Sequence, residues 1–253
     1  MSSQHDTLEW QIDSKTFRHY LATPDGLSGE APGVLVFPEW WGLDDYIKGR
    51  CDQLAEQGYV ALGVDLYGDG KICQTPDEAA AVMNAMFDEN DGLTKRVKTA
   101  FEQLKLQAAV DATRTAAIGY CLGGLTALHA ARIGLKFNGV ASFHGALNSF
   151  HTPEPGDIKA KLLVCHGAAD AMISDEDVAA FKEQMDSAKA DYQWIEYEGA
   201  LHGFTNPSAT ERGKNFQTPV AYNEQADQQS WSTLLSFLSD VFGESSHPKT
   251  QVA

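Results

Sequence analysis

Cysteine is scarce in this 253-residue chain: Cys51, Cys73, Cys121 and Cys165 are the only four, and none forms a C-x-x-C pair. Such spacing gives no sign of a zinc cluster or a disulfide scaffold and fits the reduced thiols of a cytoplasmic protein. Positive charge is equally short, with 19 Lys+Arg against 35 Asp+Glu and a net charge of −16. A chain this acidic repels phosphates and anionic lipid, which argues against nucleic-acid and membrane partners and disfavours highly anionic substrates. No apolar run approaches the roughly 18 residues of a membrane helix. The opening MSSQHDTLEWQID has neither the basic nor the apolar region of a secretory signal. Repeats, low-complexity linkers and the glycine patterns of phosphate loops are also lacking; Tyr67-Gly68-Asp69-Gly70 reads as a plain turn.

Apolar material is not lacking. At 43% hydrophobic and 21% charged residues the chain has enough for a large core. Short β-branched runs read as strands: LEWQI, FRHYLA, GVLVFP, YVALGVDLY, TAAIGY, GVASFH, KLLVCHG and YQWIEY. Segments of helical period lie between the later ones, at about 44–57, 76–88, 92–108, 122–134, 174–190 and 221–242. Only Asp13-Ser14-Lys15 separates the first two runs, so a hairpin is expected at one edge. Runs as continuously apolar as GVLVF and KLLVC suit parallel strands covered on both faces. The expectation is an α/β fold: one domain over 1–243, a mostly parallel doubly wound sheet with helices on both faces, and a frayed tail at 244–253.

In such sheets ligands bind beyond the carboxyl ends of the strands, so those ends carry the chemistry. TAAIGY runs into Gly119-Tyr120-Cys121-Leu122-Gly123-Gly124 and then a helix, a nucleophile-elbow pattern with Cys in place of Ser. The glycines make room for a sharp strand-to-helix turn, and the helix N-terminus favours a thiolate at Cys121. A free cysteine is usually a buried structural residue, but this placement favours a nucleophile. A nucleophile needs a base and the base an orienting acid. KLLVCHG ends near Asp170, and YQWIEY is followed by His202, both at the edge that holds Cys121. The order Cys121, Asp170, His202 is the nucleophile–acid–base order of α/β-hydrolases.

GVLVFP ends in Pro38-Glu39-Trp40-Trp41. Glu39 is then either a surface carboxylate beside a turn or one held near the thiol. The backbone N–H groups of Leu122 and Trp40 are the candidate oxyanion donors. Trp41, His144 and Phe204 are candidates for the substrate pocket. Met83, Met86 and Phe87 form either a hydrophobic lid or ordinary helix packing. Asp175 and Asp177 begin a helix, where carboxylates are ordinary. Cys165 reads as core, Cys51 as helical and Cys73 as the exposed thiol of a loop. His129, His151 and His166 lack metal-ligand spacing, so no metal and no cofactor is expected.

With FPEWWGLDDYIKGRCDQLAEQGYVALGVDLYGDG, IGYCLGG, CHGAAD and HGF in order, the chain resembles the dienelactone hydrolase family over nearly its whole length. The resemblance implies an α/β-hydrolase fold, a Cys121–His202–Asp170 triad, and a Glu39 that contacts the resting thiol and helps to activate it. It implies hydrolysis of small cyclic or linear esters through a thioester intermediate, the name-giving reaction being opening of a dienelactone to maleylacetate. Family members clamp a substrate carboxylate with two arginines; here Asn206 stands where one is expected. The resemblance therefore supports cysteine-based ester hydrolysis better than dienelactone itself. The partner expected is a small ester or lactone, the protein a monomer or homodimer. Two rival readings are a thiol redox protein cycling through sulfenic acid, which lacks a nearby resolving cysteine, and a non-catalytic ligand-binding member of the fold.

Overall fold

The computed structural model describes residues 2–243, so the tail expected at 244–253 lies outside the described residues. The hairpin comes first: β1 (Ser3–Ile12) and β2 (Lys15–Pro24) pair antiparallel around a turn in which Asp13 takes the left-handed conformation. Next come β3 (Ala31–Phe37), α1 (Asp45–Glu56), β4 (Val60–Gly63), α2 (Pro76–Asp88), α3 (Gly92–Lys105) and β5 (Val110–Tyr120). The second half comprises α4 (Leu122–Arg132), β6 (Gly139–Phe143), β7 (Lys161–Gly167), α5 (Asp175–Ser187), β8 (Tyr192–Tyr197), α6 (Ala209–Phe216) and α7 (Glu224–Phe242).

All eight strands join one sheet in the order β1-β2-β4-β3-β5-β6-β7-β8. Pairing is antiparallel for β1/β2 and β2/β4 and parallel from β4 onward. Alternate side chains of each inner strand enter different cores. Leu35, Phe37, Leu62, Val140 and Val164 pack with α2, α3, α4 and α5 on one face. Val34, Val36, Ala61, Ala141 and Cys165 pack with α1 and α7 on the other. This double burial explains runs as apolar as Val34–Phe37, where each fully buried Val, Leu or Phe contributes about 1.5–3 kcal/mol. Helix starts are marked by side-chain caps: Asp44 for α1, Thr75 with Pro76 for α2, a Ser174–Asp177 capping box for α5 and Asn223 for α7.

The chain reverses its direction of winding between β3 and β5, so their carboxyl ends open a crevice in which the functional loops meet. Two departures from the sequence pattern shape that crevice. The run YVALGVDLY does not continue as a strand beyond Gly63. The buried Asp65 carboxylate takes the backbone N–H groups of Tyr67, Gly68, Gly70 and Arg18 at 2.8–3.1 Å, which coils the chain into a tight loop. The helix α6 was not expected. Its Gly213 lies where a Cβ would meet the Val220 carbonyl oxygen at 2.3 Å, and a glycine in so short a segment hides its helical period.

Candidate active site

Cys121 sits between β5 and α4 with φ 53° and ψ −114°, a backbone strained for a side-chain-bearing residue. Its N–H donates to Phe143 O at 3.0 Å, and its carbonyl accepts from Leu125 N, the first turn of α4. The flanking glycines are forced by contact. A Cβ on Gly119 would fall 1.9 Å from Gly123 O, and one on Gly123 would fall 2.1 Å from Phe37 O. The end of β3 is thus laid directly against the first turn of α4. Among the described residues no protein acceptor takes the N–H of Leu122 or of Trp40, and both residues line the cavity that holds Cys121. The Trp40 turn is fixed on either side: Gly42 N donates to Glu39 O at 3.1 Å, and the Tyr67 hydroxyl donates to Trp40 O at 2.9 Å.

Asp170 lies just past β7 and is buried. Its Oδ1 accepts Met172 N, and its Oδ2 lies 2.9 Å from His202 Nδ1, so the imidazole carries its proton on Nδ1 and leaves Nε2 toward the thiol. Nε2 itself has no aligned hydrogen bond. Burial alone would lower the affinity of His202 for a proton. Interaction with the adjacent Cys121 and the hydrogen bond to Asp170 outweigh burial and push His202 up to about 10.

Glu39 is buried in the crevice. Burial raises its carboxyl to about 7; Asp44 adds to the rise, while the hydrogen bond from Asn206 and the charges of Arg212 and His202 oppose it. Asn206 Nδ2 donates to Glu39 Oε2 at 2.6 Å, and Arg212 Nη1 stands 3.7 Å from the same oxygen. Asn206, Arg212, Glu39, Cys121 and His202 all line one cavity of about 300 Å³. Neither Asn206 nor Arg212 stands out as a site residue in the sequence. The only signal is negative, an asparagine in place of an expected arginine, and Arg212 lies on the unforeseen α6.

Of the pocket candidates, Trp41 lines the cavity, against Trp40 at 5.2 Å between ring centres and under the Arg212 guanidinium at 4.5 Å. His144 and Phe204 do not line it. Both are buried behind His202, with Phe204 packed on the His144 ring at 5.2 Å. His144 Nε2 is 2.7 Å from Thr205 Oγ1, which is 2.6 Å from the Tyr46 hydroxyl. Burial, then the charge on His202, keeps His144 well below its ordinary value and therefore neutral. Arg50 completes this underside. It donates to Thr205 O at 2.8 Å, pairs with Asp227, and packs on the Tyr46 and Tyr120 rings. The 202–206 loop is thereby fastened from below.

From α2, Met83 and Phe87 line the cavity, whereas Met86 points into the core. Cys73 is buried, not exposed: its N–H donates to Trp41 O at 2.9 Å, which draws the loop onto the Trp41 turn. Cys51 and Cys165 are also buried, and Cys121 is the one cysteine with partial exposure. No group of three or more His, Cys, Asp or Glu residues with metal-holding geometry occurs among the described residues. No helix among them is long and apolar enough to cross a membrane.

Comparison with known proteins places these features in context. The sequence model of the dienelactone hydrolase family matches residues 17–242. The chain is 37% identical over 164 residues to the uncharacterized protein K02A2.1 of Caenorhabditis elegans, covering 61% of this chain and 98% of that one. It is 29% identical over 231 residues to a protein of a Bradyrhizobium species named "Probable 2-oxo-3-(5-oxofuran-2-ylidene)propanoate lactonase", covering 87% of each. Among solved structures, the dienelactone hydrolase-like promiscuous phosphotriesterase P91 from metagenomic libraries superposes with a TM-score of 0.88 and 31% identity, over 96% of this chain and all of that one.

Proposed function

The chain belongs to the dienelactone hydrolase family of α/β hydrolases, and from that premise we propose that it hydrolyses carboxylic esters or lactones with Cys121 as nucleophile. The observation that carries the reading is the arrangement around one cavity: a thiol on a strained elbow, and an imidazole whose Nδ1 is held by a buried carboxylate at 2.9 Å while Nε2 has no aligned partner.

Each residue then has a defined task. The Cys121 thiolate attacks the carbonyl carbon, and the oxygen takes the negative charge between the N–H groups of Leu122 and Trp40. Collapse of this intermediate breaks the bond to the alkoxide, which takes the proton from the His202 imidazolium. In a lactone the freed hydroxyl stays tethered to the acyl group. His202 then removes a proton from water, whose oxygen attacks the thioester. Release of the acid restores the thiolate–imidazolium couple. Asp170 keeps the tautomer that presents Nε2 and stabilises the imidazolium, as in other triads. Glu39 lines the same cavity as a carboxyl held near neutrality, and the family resemblance assigns it a part in ionising Cys121 when the thiol is protonated.

The test is hydrolysis of an activated aryl ester by wild type, Cys121→Ala and His202→Ala, with trapping of the acyl-thioester by mass spectrometry. Turnover by wild type that falls to background in both variants supports the reading; wild-type turnover in Cys121→Ala refutes it. A second reading, phosphotriester hydrolysis, is favoured by the mainly apolar cavity wall and by likeness to a protein named for that activity. A dialkyl aryl phosphate in the same assay distinguishes the two. The redox alternative requires a resolving thiol, and the other three cysteines are buried.

A further inference from the structure

The charges around the cavity decide which esters it accepts, an inference that rests on the hydrolase reading. Among the described residues, Arg212 is the one Lys or Arg that lines the cavity. Its guanidinium is already engaged. Nη2 is 3.2 Å from Asp44 Oδ2, Nη1 is 3.7 Å from Glu39 Oε2, and the group lies 4.5 Å over the Trp41 ring. Nη1 has no hydrogen bond, but it is itself buried and so is not offered to a ligand. Asp44 is anchored, because its other oxygen caps α1 through Ile47 N. Glu39 is anchored by Asn206.

The remaining groups add no positive charge. The Cys121–His202 couple is net neutral whichever partner holds the proton, and Asp170 lies behind it as a buried anion. The one cation therefore faces two carboxyl groups, those of Asp44 and Glu39, while the Asp170 carboxyl lies behind His202. The rest of the wall is largely apolar, with Trp40, Met83, Phe87, Leu125, Ile173 and Val220. A carboxylate entering this space would shed water and meet a single guanidinium whose charge already faces the carboxyl groups of Asp44 and Glu39. We propose that the cavity selects esters and lactones whose acyl part is uncharged and apolar, and discriminates against acyl groups that carry a carboxylate. The engaged Arg212–Asp44 pair is the specificity determinant.

Two para-nitrophenyl benzoates test this, one with an isopropyl group and one with a carboxylate at the para position of the benzoyl ring. The expected kcat/KM is at least tenfold lower for the carboxylate, a factor that corresponds to 1.4 kcal/mol. Asp44→Asn keeps a good cap for α1 but removes the charge that holds Arg212. It is expected to narrow the ratio severalfold by improving the carboxylate substrate. Equal or faster turnover of the carboxylate ester, or an unchanged ratio in Asp44→Asn, overturns the proposal. Binding provides the arm that needs no chemistry: Cys121→Ala protein is titrated with para-isopropylbenzamide and with para-carboxybenzamide. Weaker binding of the carboxylate upholds charge selection even if no ester is turned over, an outcome that would sink the hydrolase reading alone. Equal or tighter binding of the carboxylate, or failure of the isopropyl compound to bind, overturns the selection itself.

Discussion

Glu39→Gln should make the protein more stable above neutral pH and leave it little changed in mild acid. The Glu39 carboxyl rises from 4.5 to about 7 on folding, chiefly through burial. The folded state therefore holds this proton more tightly than the unfolded chain. Below about pH 4.5 both states are protonated, and the preference favours folding in full. As pH climbs from 4.5 toward 7, the unfolded chain gives up the proton first and that contribution is lost. At 1.36 kcal/mol per pKa unit the loss is about 3 kcal/mol, an upper figure because Asn206 and Arg212 relax around the ionised group. Glutamine keeps the oxygen that accepts from Asn206 and never ionises. Urea unfolding of wild type and Glu39→Gln at about pH 5 and about pH 8 measures the effect. Wild type should lose up to about 3 kcal/mol more than the variant across that interval. A loss of equal size in both proteins, or a variant less stable at the higher pH only, would refute the account of Glu39 as a carboxyl strained by burial.

Three further outcomes are expected from the same geometry. Asp170→Asn should lower kcat by roughly 10³–10⁴-fold with little change in KM, and should drop the His202 titration seen by NMR, because the buried charge that holds Nδ1 is gone; a kcat within tenfold of wild type contradicts the triad assignment. In Gly123→Ala the new Cβ would lie 2.1 Å from Phe37 O, which is backbone and cannot move aside. A loss of more than about 3 kcal/mol or failure to fold is expected, and an unchanged Tm would show that β3 does not press on α4. Thr205→Val strands the Tyr46 hydroxyl and His144 Nε2 in the interior. It should cost about 2–4 kcal/mol of stability, measured by chemical unfolding, while Thr205→Ser, which keeps the hydroxyl, restores most of it.

The sheet was legible in the sequence because its inner strands are buried on both faces, and a run such as Val34–Phe37 has no other reasonable home. The edge hairpin was legible from the shortness of its turn. Cys121, Asp170 and His202 could be assigned to one edge because each stands just past the carboxyl end of a strand. Cys121 and His202 line one cavity, and Asp170 holds His202 from behind. The features that stayed hidden depend on side chains captured across the fold. Nothing near Asp65 announces that its carboxylate would gather four backbone N–H groups and end β4 early. Cys73 looked exposed because its loop is polar, yet one backbone bond to Trp41 O draws it inside. His144 and Phe204 lie at the right edge but on the wrong side of His202, a distinction strand order cannot make. Arg212 was concealed by the glycine that lets α6 approach Val220.

The segment from His202 to Phe216 carries the imidazole, the amide that steadies Glu39 and the guanidinium over Trp41 in one uninterrupted stretch of chain. Thr205 ties it down from beneath, and the short bridge of His202 to Val220 holds it at the side. One stretch of chain, separate from the thiol and from the elbow that strains it, thus supplies the imidazole and the arginine of the proposed Arg212–Asp44 determinant. Exchange of this stretch for that of another family member, with the Thr205 contacts kept, is expected to shift substrate preference only as far as Asp44 and the walls from β3 and α2 allow, while Cys121 stays untouched.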